Sequence, residues 1–149
     1  MPVPIAPGDA APPIEGVDGH GGHALVFYKV TCPVCQMAAP KVQALADAFP
    51  DRVTPVGQDP PERLSAFAAE YGLNVQPVVD LPPYDASEAY GVRTVPTVFL
   101  VNDGTVVDTV EGWDRAGINR VAERLAGLTG TEYRPVSEAG DGLPPFRPG

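Results

Sequence analysis

Cysteine is scarce in this chain of 149 residues, which holds two, so at most one disulfide can form and a disulfide-stapled scaffold is excluded. Basic residues are also few: 10 Lys and Arg stand against 19 Asp and Glu, a net charge of −9. That charge repels nucleic acid and anionic lipid alike, so neither nucleic acid nor membrane is expected as a partner. No apolar run approaches the roughly 18 to 20 residues of a membrane span, and the opening Met-Pro-Val-Pro-Ile-Ala-Pro-Gly-Asp lacks the basic and apolar regions of a leader. A lone cysteine pair without a leader points to the cytoplasm, where such pairs are more often catalytic or metal-binding than structural. Histidine is equally rare. A metal site would have to join His20 and His23 to Cys32 and Cys35, yet a seven-residue strand of about 3.3 Å per residue separates the two pairs by about 20 Å. The histidines are therefore read as exposed turn residues, and no metal or other cofactor is expected.

The chemistry-bearing stretch is Lys29 to Pro40, which places Cys32 and Cys35 in C-x-x-C spacing where an apolar run ends and a helical pattern begins. Helix N-termini carry partial positive charge and unpaired amide donors, so a thiolate on the first turn is stabilised there. Pro33 suits the first helical position, because its fixed φ is already helical and its missing N–H costs nothing. Strand, C-x-x-C and helix in that order read as a redox dithiol.

The length suits one domain, and neither an internal repeat nor a second domain is visible. Residues 1–22 read as an irregular, Pro- and Gly-rich lead-in packed on the domain, 23–130 as the domain, and 131–149 as an extended Pro/Gly-rich tail. Ala24 to Tyr28 is an unbroken apolar run that fits a central strand. A helix is expected from Pro33 to about Phe49, kinked at Pro40. Arg52 to Gln58 reads as a strand that Pro55 confines to an edge or a bulge. In the next helix Asp59 is expected to cap, Glu62 to complete the box, Leu64, Phe67, Ala68 and Tyr71 to be buried, and Gly72 to end it. A short strand at Gln76 to Asp80 and a short helix at Asp85 to Tyr90 follow. Thr97 to Asn102, an Asn-Asp-Gly turn and Thr105 to Val110 form a hairpin. The last helix starts at Asp114, turns Ile118, Val121, Ala122, Leu125 and Leu128 inward, and ends at Gly130. Trp113 and Phe99 are read as core, Arg93 as surface, and Lys29 either as a charge that favours the Cys32 thiolate or as a solvated lysine at the strand edge. The whole is an α/β fold with a mixed sheet.

Cys32-Pro33-Val34-Cys35-Gln36-Met37-Ala38-Ala39-Pro40, with Thr94-Val95-Pro96-Thr97-Val98-Phe99 some sixty residues later, resembles a thioredoxin-fold protein. More closely, the chain is similar to TlpA-type thiol–disulfide oxidoreductases and redoxins, which insert a helix and strand as Glu62–Tyr71 and Gln76–Asp80 would here. The resemblance covers about residues 8 to 128. It implies a three-layer fold, a central mixed sheet flanked by helices, and a proline at Pro96 that is cis and faces the cysteines. It also implies that Val95 offers its backbone to an extended substrate, with Thr31, Pro33 and Val34 on the docking surface. Cys32 would then attack a disulfide and Cys35 would resolve the mixed disulfide. The partners implied are a disulfide-bearing protein or small molecule and an unidentified thiol electron donor.

The chain departs from that pattern in ways that matter chemically. Thr31 stands where thioredoxins have Trp, and Pro33-Val34 replaces Gly-Pro. Val26 occupies the position of the thioredoxins' buried carboxylate, and Ala38 a position where TlpA-like reductases often carry Glu. No obvious acid is left to take the Cys35 proton. The alternative from another class of chemistry is a peroxiredoxin-type peroxidase using Cys32. Its Thr three residues before the cysteine is Lys29 here, which disfavours it.

Overall fold

The structure, a computed structural model, describes residues 3–149. Its centre is β1 (Gly22–Tyr28), buried at all seven positions. β1 pairs in parallel with β2 (Val53–Gly57) on one side and antiparallel with β4 (Thr97–Asn102) on the other. With β3 (Val78–Val79) and β5 (Thr105–Glu111) at the edges, the sheet order is β3-β2-β1-β4-β5. Covered on both faces and both edges, β1 is an unbroken apolar run from Ala24 to Tyr28, with His23 before it as a polar exception.

Alternate residues of β1 enter two cores, as a period of two requires. Ala24, Val26 and Tyr28 join one with α1 (Pro33–Ala48) and α4 (Arg115–Thr129). Leu25 and Phe27 join the other with Phe99 and Tyr90, beneath α3 (Asp85–Ala89) and the lead-in. This is the three-layer α/β arrangement of a thioredoxin-like fold. Phe99 and Trp113 are core residues, at 0% and 3% exposure.

As expected, helix α1 runs through Pro40 without ending, and its buried face carries Val42 and Leu45. Several other expectations are corrected. Pro55 lies not in an edge strand but in β2, second from the edge. The even-numbered residues of β2 bond to β1, since Ala24 N–H reaches Arg52 and Gln58 N–H reaches Tyr28, so the missing donor of Pro55 faces outward. There β3 has not yet begun, because it pairs only with Val56 and Gly57. The expected strand at Gln76–Asp80 shrinks to those two residues of β3. Helix α2 (Pro61–Tyr71) ends at Gly72 with φ +77°, but Pro60 stands at its N-cap and makes no side-chain cap bond. Leu128 is 43% exposed, because it lies over Gly22 at the very start of β1, where the sheet ends and solvent begins.

His23 is not an exposed turn residue. It lies within β1, 7% exposed, with Nε2 2.7 Å from Thr54 Oγ1 on β2. Burial first, and the nearby Arg52 charge second, lower its pKa, which keeps the imidazole neutral.

The lead-in places Ile5, Ile14 and Val17 against the second core, and Tyr90 Oη donates to the Pro12 carbonyl at 2.6 Å. The tail is not extended in solvent. It returns along α4 and pairs as β7 (Phe146–Arg147) with β6 (Trp113–Asp114). Polar groups hold it: Asn119 receives Val136 N–H, and Asp141 binds Lys41, Arg115 and Ser137.

Candidate active site

Cys32 is the N-cap of α1, at the end of the short connection from β1. Its Sγ accepts the Cys35 N–H at 3.1 Å, an arrangement a thiolate strengthens because the acceptor gains full charge. Cys35 follows one turn later and is 3% exposed, whereas Cys32 is partly open. Burial, and then the Cys32 side chain, push the Cys35 thiol above the ordinary thiol range. One cysteine therefore meets solvent and the other is sealed behind it.

The connection before Cys32 is fixed at both peptide groups of Val30. Its N–H donates to Asp59 Oδ2 at 2.9 Å, and its carbonyl accepts from Gln36 Nε2 at 2.9 Å. Asp59, which the sequence assigns to the cap of α2, thus braces the cysteine loop. It also reaches the rear of the site electrostatically. The Tyr28 hydroxyl is pushed up to about 12 by burial first, then by Asp59 and Cys35, so the three groups share one neighbourhood.

Across from α1 stands the loop before β4. The Val95–Pro96 peptide bond is cis, and the Val95 carbonyl accepts from Cys32 Sγ at 3.4 Å. Cys32, Pro33 and Val95 border an open groove of about 540 Å³ whose far wall includes Tyr84, Ser87 and Arg93. Gln58 on that wall donates to Ser87 Oγ at 2.7 Å, and the buried Asp80 carboxylate holds Ser87 in turn. Arg93 is spoken for, bound through two nitrogens to Glu111 at 2.8 Å each.

The AhpC/TSA family model matches residues 8–110, well over half of the chain. The chain belongs to the AhpC/TSA family. Among its relatives is the thiol-disulfide oxidoreductase ResA of Halalkalibacterium halodurans, 29% identical over 96 residues that cover 61% of this chain and 54% of ResA. The chain thus matches little more than half the length of that relative. Among solved structures, a putative thiol:disulfide interchange protein DsbE from Chlorobium tepidum superposes with a TM-score of 0.69 at 22% identity, covering 82% of this chain and 96% of that one. A secreted Mycobacterium tuberculosis disulfide oxidoreductase homologous to Escherichia coli DsbE gives 0.59 at 26% identity, covering 75% and 84%. The fold is that of the thioredoxin-like proteins.

Of the residues singled out in the sequence, the structure brings Cys32, Cys35 and Val95 together, with Pro96 joined to Val95 by the cis bond. Pro33 is exposed on the groove. Val34 is not on a docking surface: it is 8% exposed and packs into the core with α1, because its position on the first turn points toward the sheet. Thr31 is exposed but does not line the groove. The sequence reading missed Asp59, Gln36 and Gln58. Gln36 directly follows Cys35 and could have been found by asking what holds the preceding loop; Asp59 and Gln58 come from the neighbouring strand end and carry no local signal.

Proposed function

We propose that this protein is a thiol–disulfide oxidoreductase in which Cys32 attacks and Cys35 resolves. The observation that carries the reading is the asymmetric pair: a partly exposed Cys32 sulfur at a helix N-cap, beside the Val95 carbonyl, with Cys35 buried one turn behind. In the first step the Cys32 thiolate forms a bond to one sulfur of a substrate disulfide, and the other sulfur leaves as thiolate. Cys35 then loses its proton and attacks Cys32, forming the Cys32–Cys35 disulfide and releasing the second substrate thiolate. Two electrons pass from dithiol to substrate, and a thiol donor returns them. Three-residue spacing on a helix keeps the resolving sulfur within reach, so it competes at an effective concentration no free thiol attains. Substrates of this chemistry are disulfide-bearing proteins or small molecules, and in the cytoplasm the pair would stand reduced.

The cost of the second step is the buried proton of Cys35. Val26 and Ala38 offer no carboxylate, and both are buried among apolar residues. Resolution is therefore slow below neutral pH. The alternative, peroxide reduction by Cys32, lacks a free guanidinium beside the sulfur among the described residues, because Arg93, the arginine on the groove, is bound to Glu111.

Trapping tests the reading. Cys35→Ser should accumulate mixed disulfides with partners and Cys32→Ser none. If Cys35→Ser traps nothing, and purified protein with a thiol donor consumes peroxide faster than it reduces any disulfide tried, the peroxidase reading replaces this one.

A further inference from the structure

The tail runs onto the site. Trp113 Nε1 donates to the Pro144 carbonyl at 2.6 Å, Arg115 N–H to the Pro145 carbonyl at 3.0 Å, and β7 then pairs with β6. Past β7 the chain runs over Gly112, whose own N–H donates to the Pro96 carbonyl at 2.8 Å. A Cβ at Gly112 would stand 2.7 Å from the Arg147 carbonyl oxygen and 3.2 Å from Gly149 N, so the two backbones touch. Gly149 then lies against the Val95 carbonyl and 2.5 Å from Thr94 Oγ1, counted from where its Cβ would be. It forms part of the groove rim beside Cys32 and Pro33.

We propose that residues Arg147–Gly149 are a strap over the Val95 docking edge, which an extended peptide has to displace and a small disulfide does not. The geometry is simple. The Val95 carbonyl is flanked by the Cys32 sulfur and by Gly149, and an extended chain pairing with the Val95 backbone needs the volume that Gly149 fills. A small disulfide instead reaches Cys32 through the groove, which stays open on the Tyr84 and Ser87 side. Arg147–Gly149 is held by a two-residue strand pair and by contacts at Gly112, Thr94 and Val95, so this stretch can lift without unfolding the domain. Discrimination by size then follows from the fraction of time the strap is off. This substrate preference rests on the disulfide-exchange reading, but the strap itself is tested without it.

Two variants loosen the strap by different means. Gly149→Val places a side chain into the Val95 carbonyl, and Arg147→Pro removes the N–H of β7 from its ladder with Trp113. Reduced wild type and both variants are alkylated with iodoacetamide and, separately, with a maleimide carried on an extended peptide, and modification of Cys32 is read by mass spectrometry. The ratio of the peptide rate to the iodoacetamide rate should rise about fivefold in each variant, as expected for a site that is covered about four-fifths of the time. An unchanged ratio in both variants, or a rise that is equal for both reagents, overturns the proposal. Alkylation requires no disulfide turnover, so a wild type that reduces no disulfide sinks the exchange reading and leaves this result to stand or fall alone.

Discussion

The two terminal segments are alike in composition and differ in how they attach. Lead-in and tail are both rich in proline and glycine, so both lack regular periodicity. The lead-in seats Ile5, Ile14 and Val17 on the second core and bonds to the sheet through its backbone, with Gly8 N–H on the Val106 carbonyl and Ala11 N–H on the Gly104 carbonyl, while Tyr90 secures the Pro12 carbonyl. The tail packs Val136 and Leu143 on the main core, but what distinguishes it is the set of charged and polar groups that reach its backbone from Trp113, Arg115 and Asn119, with Asp141 gathering Lys41 and Arg115 in return. Attachment by apolar side chains resists acid; attachment by a carboxylate does not. The tail, unlike the lead-in, also lies against Thr94 and Val95 beside Cys32, so its hold bears on access to that sulfur.

The largest effect should come from Trp113→Ala. The indole is 3% exposed and is both core and anchor, so its loss should cost about 3 to 5 kcal/mol and free the tail. Denaturant unfolding measures the first, and faster amide exchange at Phe146 and Arg147 the second. Protection there that survives in the variant would show that the tail does not depend on this anchor.

Tyr90→Phe should cost less, about 1 to 2 kcal/mol, by leaving the Pro12 carbonyl without its donor. Exchange should quicken in the lead-in and remain unchanged in β7. A matching change at both ends would erase the distinction between them.

Acid should separate the ends without mutation. The Ser137 hydroxyl first, then the Leu143 N–H and the Lys41 ammonium, hold the Asp141 carboxyl below the usual carboxylate range. The unfolded chain takes this proton more readily than the folded one, so the contribution is whole above about pH 4 and is lost as pH falls further. Fluorescence of Trp113, the single tryptophan, should therefore shift below about pH 4 before the lead-in loses protection. Asp141→Asn should abolish that early shift.

The smallest effect concerns neither end but the strand between them. Because His23 is held neutral, the unfolded chain protonates at about pH 6.5 while the folded one does not, and stability declines as pH falls from there toward the lowered folded value. His23→Gln should flatten the stability profile between about pH 6.5 and 5. A profile equally steep in the variant would assign that acid sensitivity elsewhere.

Much of the fold was legible because its signals are local. An unbroken apolar run marked β1, helical spacing marked α1 and α4, and Gly72 and Gly130 closed their helices as left-handed caps at φ +77° and +69°. The candidate site was legible to the same extent: Cys32 and Cys35 belong to one turn, and Pro96 opens an apolar strand. Asp59 was misassigned because a capping signal and a brace for a neighbouring loop are written with the same residue. His23 was misplaced because nothing within the lead-in says that β1 begins at Gly22.

What the sequence determined by itself, then, is whatever depends on neighbours along the chain: strand and helix periods, turn residues, and a cysteine pair placed at a helix start. Only the tertiary structure decided that Val34 points inward, that Gln36 and Asp59 grip Val30 from opposite sides, and that Gly149 meets Val95. Those relations join residues far apart in sequence, and each depends on which surface is left open after the sheet and helices have packed. A Pro- and Gly-rich tail carries no periodicity to announce its partner. Its course is set by donors on β6 and α4, which become available only when the rest of the domain has folded.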